Sequence, residues 1–316
     1  MRSLVRAALA GGLAGASLAA LGVARLTHPL SLLRSREHHL TFGGRERTYR
    51  LHLPPRYNGR ARLPLVVMLH PRGDYARQFE IYSGMSHQAD QAGFVVAYPN
   101  GLAGPDDPAR SWNAGFCCGY PYAHNVDDVG FIGHLLDTLL AAYRIDPRRV
   151  YAAGWSNGGM LAHRLAAELP ERLTAIAAVN ATVGGRTPGQ PEYTYIPAPK
   201  APVPVLIMHG GRDHIVPYAG GVNVNGDSDF VAVRDTVALW TTRNDCDPMP
   251  VVCDLGVRGV EERTYRAGAN GCDVVLYTVP DGGHVYFGGL QEIRRNLCGA
   301  NVSATRLIWQ FFAAHG

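Results

Sequence analysis

The stretch RRVYAAGWSNGGMLAHRLAAELP, residues 148–170, changes its periodicity at a single serine. Before Ser156, VYAAGW is short and apolar, as a buried strand is; after it, NGGMLAHRLAAEL spaces its apolar residues as an amphipathic helix does, and Pro170 stops that helix. A strand that runs through a glycine-flanked serine into a helix is the setting of a G-x-S-x-G elbow. There a strained turn holds the hydroxyl clear of the backbone, and the glycines let neighbouring chain approach. Gly154, Ser156 and Gly158 supply that pattern. Chance competes, because 37 glycines in 316 residues and ten serines give about 0.14 such matches at random. The strand-to-helix context lifts the reading above chance.

Outward from this point the same alternation continues. The runs LPLVVMLH (63–70), FVVAYPN (94–100), RVYAAGWS (149–156), LTAIAAVNA (173–181), VPVLIMHG (203–210) and VVLYTVP (274–280) read as buried strands. Helix-like stretches lie near 77–92, 129–143, 157–169, 229–243 and 302–314, with Ser228 or Asp229 placed to cap the fourth. A hairpin with Gly43-Gly44 at its turn precedes them. The class is therefore α/β: a mostly parallel sheet with helices on both faces, in a single domain. The Pro- and Gly-rich segment 184–202 is expected to run over the sheet edge. It is too short for a lid domain, so an open site is expected; a dimer contact is the other reading of that segment.

Composition narrows the function. Hydrophobic residues make up 47% of the chain, enough for a large core. Residues 1–24 place Arg2 and Arg6 before an apolar run of small residues that ends Gly22-Val23-Ala24, the pattern of an export signal peptide. Residues 7–24 are uncharged and just long enough to span a bilayer, so a retained anchor is the alternative. Residues 25–37 then form a lead-in, and 38–316 the folded domain. Loss of the leader lowers the formal charge from +4 to +2, with both signs interspersed, which argues against nucleic acid as a partner. No later run is apolar for long enough to cross a membrane.

Six cysteines (Cys117, Cys118, Cys246, Cys253, Cys272, Cys298) in an exported chain read as one to three disulfides. No Cys/His spacing suited to zinc occurs, and no metal is expected. NVNGDSDF (223–230) lacks the spacing and closing Glu of a calcium loop and reads as a turn and helix cap.

A serine hydroxyl is a weak nucleophile until a histidine accepts its proton and a carboxylate fixes that histidine's tautomer. Both partners should follow Ser156, the acid first. Asp213 in HGGRDHIVPY lies just beyond the carboxyl end of one predicted strand, and His284 in DGGHVYFGG just beyond the last. His134 and His163 fall within helices and His209 at a strand end, so none is taken as catalytic; Asp127 and Asp128 read as helix caps. Asp281 shares the loop of His284 and ranks below Asp213, since a residue on the same loop rarely points at the ring it precedes. The oxyanion formed on acyl transfer needs two N–H donors. Asn157 opens the helix and is one. Pro71 has no N–H, so Arg72 is the candidate for the other.

The segments LHPRGD, SWNAGFCCG, NVDDVGFI, GWSNGGM, HGGRDHIVPY and DGGHVYFGG together resemble the secreted α/β-hydrolase esterases that include polyhydroxybutyrate depolymerases and related feruloyl and acetylxylan esterases. The likeness covers roughly 38–315. It implies the α/β-hydrolase fold, nucleophile Ser156, acid Asp213, base His284, and oxyanion donors Asn157 and Arg72. Two departures stand out. The group usually has His-Gly where this chain has His70-Pro71, and often His-x-Trp-Pro-Gly where Val285, Tyr286, Phe287 and Gly288 follow His284. Trp112, Tyr286 and Phe287 are the expected substrate contacts. By the same resemblance Cys246 pairs with Cys272, while Cys117 and Cys118 bond elsewhere than to each other.

The reading is an exported serine carboxylesterase, extracellular or periplasmic, that needs no cofactor and takes a hydroxyalkanoate ester or oligomer as its substrate. A feruloyl or acetylxylan esterase acting on plant polysaccharide is the alternative. A peptidase or acyltransferase would share the triad, and a non-catalytic surface binding protein of the same fold would usually lose one of its members.

Overall fold

The computed structural model describes residues 34–256, 259–289 and 302–316. The leader, most of the lead-in and Cys298 lie outside the described residues. Among the described residues there are fourteen strands and seven α-helices. In chain order the strands are β1 (Arg36–Phe42), β2 (Arg45–His52), β3 (Leu63–Leu69), β4 (Val95–Pro99), β5 (Ile145–Trp155), β6 (Ala175–Val179) and β7 (Gly184–Arg186). They continue with β8 (Thr194–Tyr195), β9 (Val205–Gly210), β10 (Gly221–Val222), β11 (Asp229–Phe230), β12 (Val251–Asp254), β13 (Glu261–Tyr265) and β14 (Val274–Val279). The helices are α1 (Ala76–Ser83), α2 (Met85–Ala92), α3 (Gly119–Ala123), α4 (Asp128–Ala142), α5 (Asn157–Glu168), α6 (Val233–Arg243) and α7 (Ala304–Ala314).

The main sheet has ten strands in the order β1-β2-β4-β3-β5-β6-β9-β14-β13-β12. Neighbours from β4 to β14 are parallel, whereas the pairs at both ends are antiparallel. Side chains of one strand alternate between two cores, as the period of two requires. In β3, Leu65, Val67 and Leu69 join the core under α4, α5 and α6, and Val66 and Met68 join that under α1, α2 and α7. The mostly parallel sheet with helices on both faces is thus as expected. Because the strands from β4 to β14 are parallel, their carboxyl ends share one edge, where open α/β sheets place ligands.

Several boundaries differ from expectation. The 77–92 helix is two, broken at Gly84, whose φ is 64° and whose N–H closes α1 on the Glu80 carbonyl. The hairpin begins at Arg36, within the expected lead-in. Ser228 and Asp229 do not cap α6, because Asp229 is already paired in β11 and its carboxylate is held by Arg186 at 2.8 Å and the Tyr193 hydroxyl at 2.7 Å. Ala232 precedes the helix instead, and its N–H reaches Asp235 at 3.2 Å. The 184–202 segment and the 221–230 turn build a small second sheet, β10-β11-β7-β8, beside the carboxyl edge of the main one.

Candidate active site

β5 is a central strand, and its chain turns into α5 through Ser156 at φ 54°, ψ −125°, a conformation that costs an L-residue energy. Two glycines make the turn possible. A Cβ on Gly154 would lie 2.3 Å from the Gly158 carbonyl, and one on Gly158 would lie 2.1 Å from the Leu69 carbonyl of β3. Ser156 N–H donates to Val179 O at 2.8 Å and its carbonyl accepts from Met160 at 2.9 Å, which locks the turn between β6 and the helix.

Asp213 follows β9 and His284 follows β14, so both reach Ser156 across the same edge. The Ser156 hydroxyl donates to His284 Nε2 at 2.9 Å. His284 Nδ1–H donates to Asp213 Oδ2 at 2.7 Å, since a carboxylate only accepts. The other carboxylate oxygen takes the N–H groups of Ile215 and Val216, each at 2.8 Å. Burial works to raise the Asp213 carboxyl, but the hydrogen bond and charge of His284 outweigh it, helped by His209 and Val216, and hold it below the usual range. A serine with a proton acceptor in reach, backed by a buried carboxylate, is equipped for nucleophilic acyl transfer.

The other histidines and acids are otherwise engaged. His209 is fully buried and donates from Nε2 to Val216 O at 2.8 Å, holding the Asp213 loop from below. His163 accepts the Trp240 indole N–H at 3.0 Å in the core, and Asp281 pairs with exposed Arg212 at 2.8 Å. Asp127 caps α4 by accepting Gly130 N–H at 2.7 Å. Asp128, expected to cap as well, is instead buried against Arg47 at 2.8 Å, because its side chain faces β2 across the core.

A cavity of about 510 Å³ opens at Ser156 and His284. Phe116, Met160, Ile215, Val216 and Phe230 form an apolar wall, and Arg72, Arg186 and Asp227 a charged rim. Asn157 and Arg72 both line it. Trp112, Tyr286 and Phe287, expected to touch substrate, do not: their exposures are 0%, 3% and 0%, and each is packed in the core. Tyr286 packs edge-on against Phe79 and Trp155, with its hydroxyl on Thr305 at 3.1 Å. The aromatic surface of the site comes instead from Phe116, Tyr122, Trp155 and Phe230.

The cysteine expectations are corrected. Cys117 and Cys118 are bonded to each other in the cavity wall. They sit at the carboxyl edge of the sheet, whereas Cys246 and Cys272 lie by the amino end of β14, out of reach. Those two are not bonded: the Cys246 thiol faces the Cys272 carbonyl at 3.8 Å, and the Cys272 thiol faces the Asn270 carbonyl at 3.4 Å.

Sequence reasoning missed Asn180, which is fully buried just beyond β6. Its amide donates to Gly283 O at 3.3 Å and Val285 O at 2.8 Å, gripping the loop on both sides of His284, while its Oδ1 accepts Gly210 N–H at 2.9 Å. A polar residue closing the apolar run AIAAVN was the available signal.

Residues 47–189 match the family described as Esterase PHB depolymerase. A putative esterase, NocK, of Nocardia uniformis subsp. tsuyamanensis is 32% identical over 279 residues, covering 81% of this chain and 75% of that protein. Feruloyl esterase B of Piromyces equi is 28% identical over 240 residues, covering 73% of this chain but only 41% of its own length. Among solved structures, the acetyl xylan esterase from Aspergillus awamori superposes with a TM-score of 0.56 at 14% identity, over 84% of this chain and 99% of that one, which is a likeness of fold.

Proposed function

The chain belongs to the esterase PHB depolymerase family, and from that premise we propose that it is an exported serine esterase that cleaves hydroxyalkanoate esters or their oligomers. The observation that carries the reading is the continuous relay from the Ser156 hydroxyl through His284, at 2.9 and 2.7 Å, to the buried Asp213 carboxylate. His284 takes the serine proton as Oγ attacks the ester carbonyl, and the resulting imidazolium is stabilised by Asp213. The oxyanion is received by the N–H groups of Asn157 and Arg72. His284 returns the proton to the leaving alcohol, leaving an acyl-serine. Water, deprotonated by the same histidine, then releases the acid and restores Ser156.

A feruloyl or acetylxylan substrate is the second reading. Relatives so named support it, and so do Phe116, Tyr122 and Phe230, which offer an aryl acid faces to stack on. The deciding measurement is kcat/KM on a soluble 3-hydroxybutyrate oligomer and on methyl ferulate, with Ser156→Ala as the blank. Preference for the oligomer supports the first reading and preference for ferulate the second. Rates at the level of the blank on both would overturn the substrate assignment. Export through residues 1–24 is checked by the amino-terminal sequence of the protein recovered outside the cytoplasm.

A further inference from the structure

Trp112 touches no part of the cavity, yet it lies between the two segments that bring N–H groups to it. Its indole N–H donates to the His70 carbonyl at 2.9 Å, with the two rings 4.9 Å apart. Its own backbone is gripped from the other side: Trp112 N–H donates to Asn157 Oδ1 at 2.7 Å, and Asn157 Nδ2 donates to Trp112 O at 3.0 Å. Asn157 therefore acts twice. Its backbone opens α5 at Ser156, where an N–H has no acceptor within the helix, while its side chain ties that helix start to Trp112.

The His70 side of the link governs Arg72. His70 Nδ1–H donates to Pro71 O at 2.8 Å, and His70 Nε2 accepts Gly101 N–H at 2.9 Å. With His70 O held by Trp112 and Pro71 O by His70, both peptide planes around Pro71 are fixed. In a trans peptide N–H and C=O point in opposite directions, so the Arg72 N–H faces away from the His70 ring. Pro71 and Arg72 line the cavity; His70 does not. The loop that carries Trp112 is itself anchored, because Asn113 N–H donates to Asp128 at 2.8 Å and Arg164 donates to Asn113 O at 2.9 Å.

We propose that Trp112 and the Asn157 side chain form one brace that sets the spacing between the two N–H donors of the oxyanion site, making Trp112 a positioning residue for the reaction. This rests on the serine-esterase reading above. Complete loss of one such donor costs about 10²–10³ in kcat, and a misplaced one costs less.

The test is a double-mutant cycle on p-nitrophenyl acetate with Trp112→Phe and Asn157→Ala, each of which keeps the backbone N–H groups. Each single change should lower kcat roughly 10- to 100-fold with KM within about threefold, and the pair should cost little more than the worse single change, as members of one unit do. Unchanged kcat, a loss carried by KM, or fully multiplicative losses would each overturn the brace. If Trp112→Phe does not fold, affinity for a boronate transition-state analogue decides with Asn157→Ala alone. It should weaken by the same factor as kcat/KM while binding of the acid product is unchanged; equal weakening of both overturns the proposal. Ser156→Ala is run alongside, and activity surviving in it defeats the esterase reading itself, a result separable from failure of the brace.

Discussion

At the scale of single residues the site depends on short hydrogen bonds to groups that cannot find partners elsewhere. Asp213 is held ionised by His284 and by two backbone N–H groups, so Asp213→Asn removes the acceptor that fixes the imidazole tautomer. We expect kcat to fall about 10⁴-fold with KM little changed, measured by steady-state kinetics on the preferred ester. Asn180→Ala releases both carbonyls beside His284. It should cost roughly 10- to 100-fold in kcat, in proportion to the displacement of the imidazole, and a crystal structure of the variant would display that displacement. That Ser156, Asp213 and His284 would come together was readable in the chain, because each follows a strand-like run at the same edge of the sheet. Asn180 was not, because its role exists only where the ends of β6, β9 and β14 converge. Trp112, Tyr286 and Phe287 were misread for a related reason, since an aromatic near a motif looks the same in sequence whether it faces the cavity or the core.

Elements meet at Gly158. The start of α5 passes against the end of β3, and a methyl group at that position would stand 2.1 Å from the Leu69 carbonyl and 2.6 Å from that of His70. Gly158→Ala should cost about 3 kcal/mol, since backbone must move to accept it, and urea unfolding checks the value. Arg47 of β2 and Asp128 of α4 form a buried ion pair that also holds Asn113. Removing one partner alone, as in Asp128→Ala, should cost about 3–5 kcal/mol by stranding the Arg47 charge. The six parallel strands, the first hairpin and the longer helices were legible from periodicity to within a few residues, but α3, β12 and β13 were not read. The small sheet of β7, β8, β10 and β11 was not, because strands of two or three residues have too little pattern to read.

The whole molecule carries buried imidazoles whose titration couples to folding. Burial pushes His70 and His209 down to about 4 and His163 to about 3, from an ordinary 6.5. Between pH 6.5 and about 4 the unfolded chain therefore binds more protons than the folded one, so stability falls as pH drops through that window. Asp74, pushed up by burial to about 6 from 3.8, acts in the opposite sense over most of it, because the folded chain then holds the extra proton. Asp128, whose carboxyl burial also raises, acts with Asp74, but the three histidines outnumber them and unfolding takes up protons on balance near pH 5. A positive slope of unfolding free energy against pH, from urea titrations at pH 4.5 to 6.5, is the expected result; a flat profile would contradict it. By itself the sequence determined the α/β class, the placing of Ser156, Asp213 and His284 after successive strands, and the elbow at Ser156, because periodicity and glycine spacing are local properties of the chain. Only the tertiary structure decided which aromatics face the cavity, which cysteines meet, and how Asn180 and Trp112 hold the site. Those depend on contacts between residues far apart in sequence, which burial and backbone geometry select and local pattern does not encode.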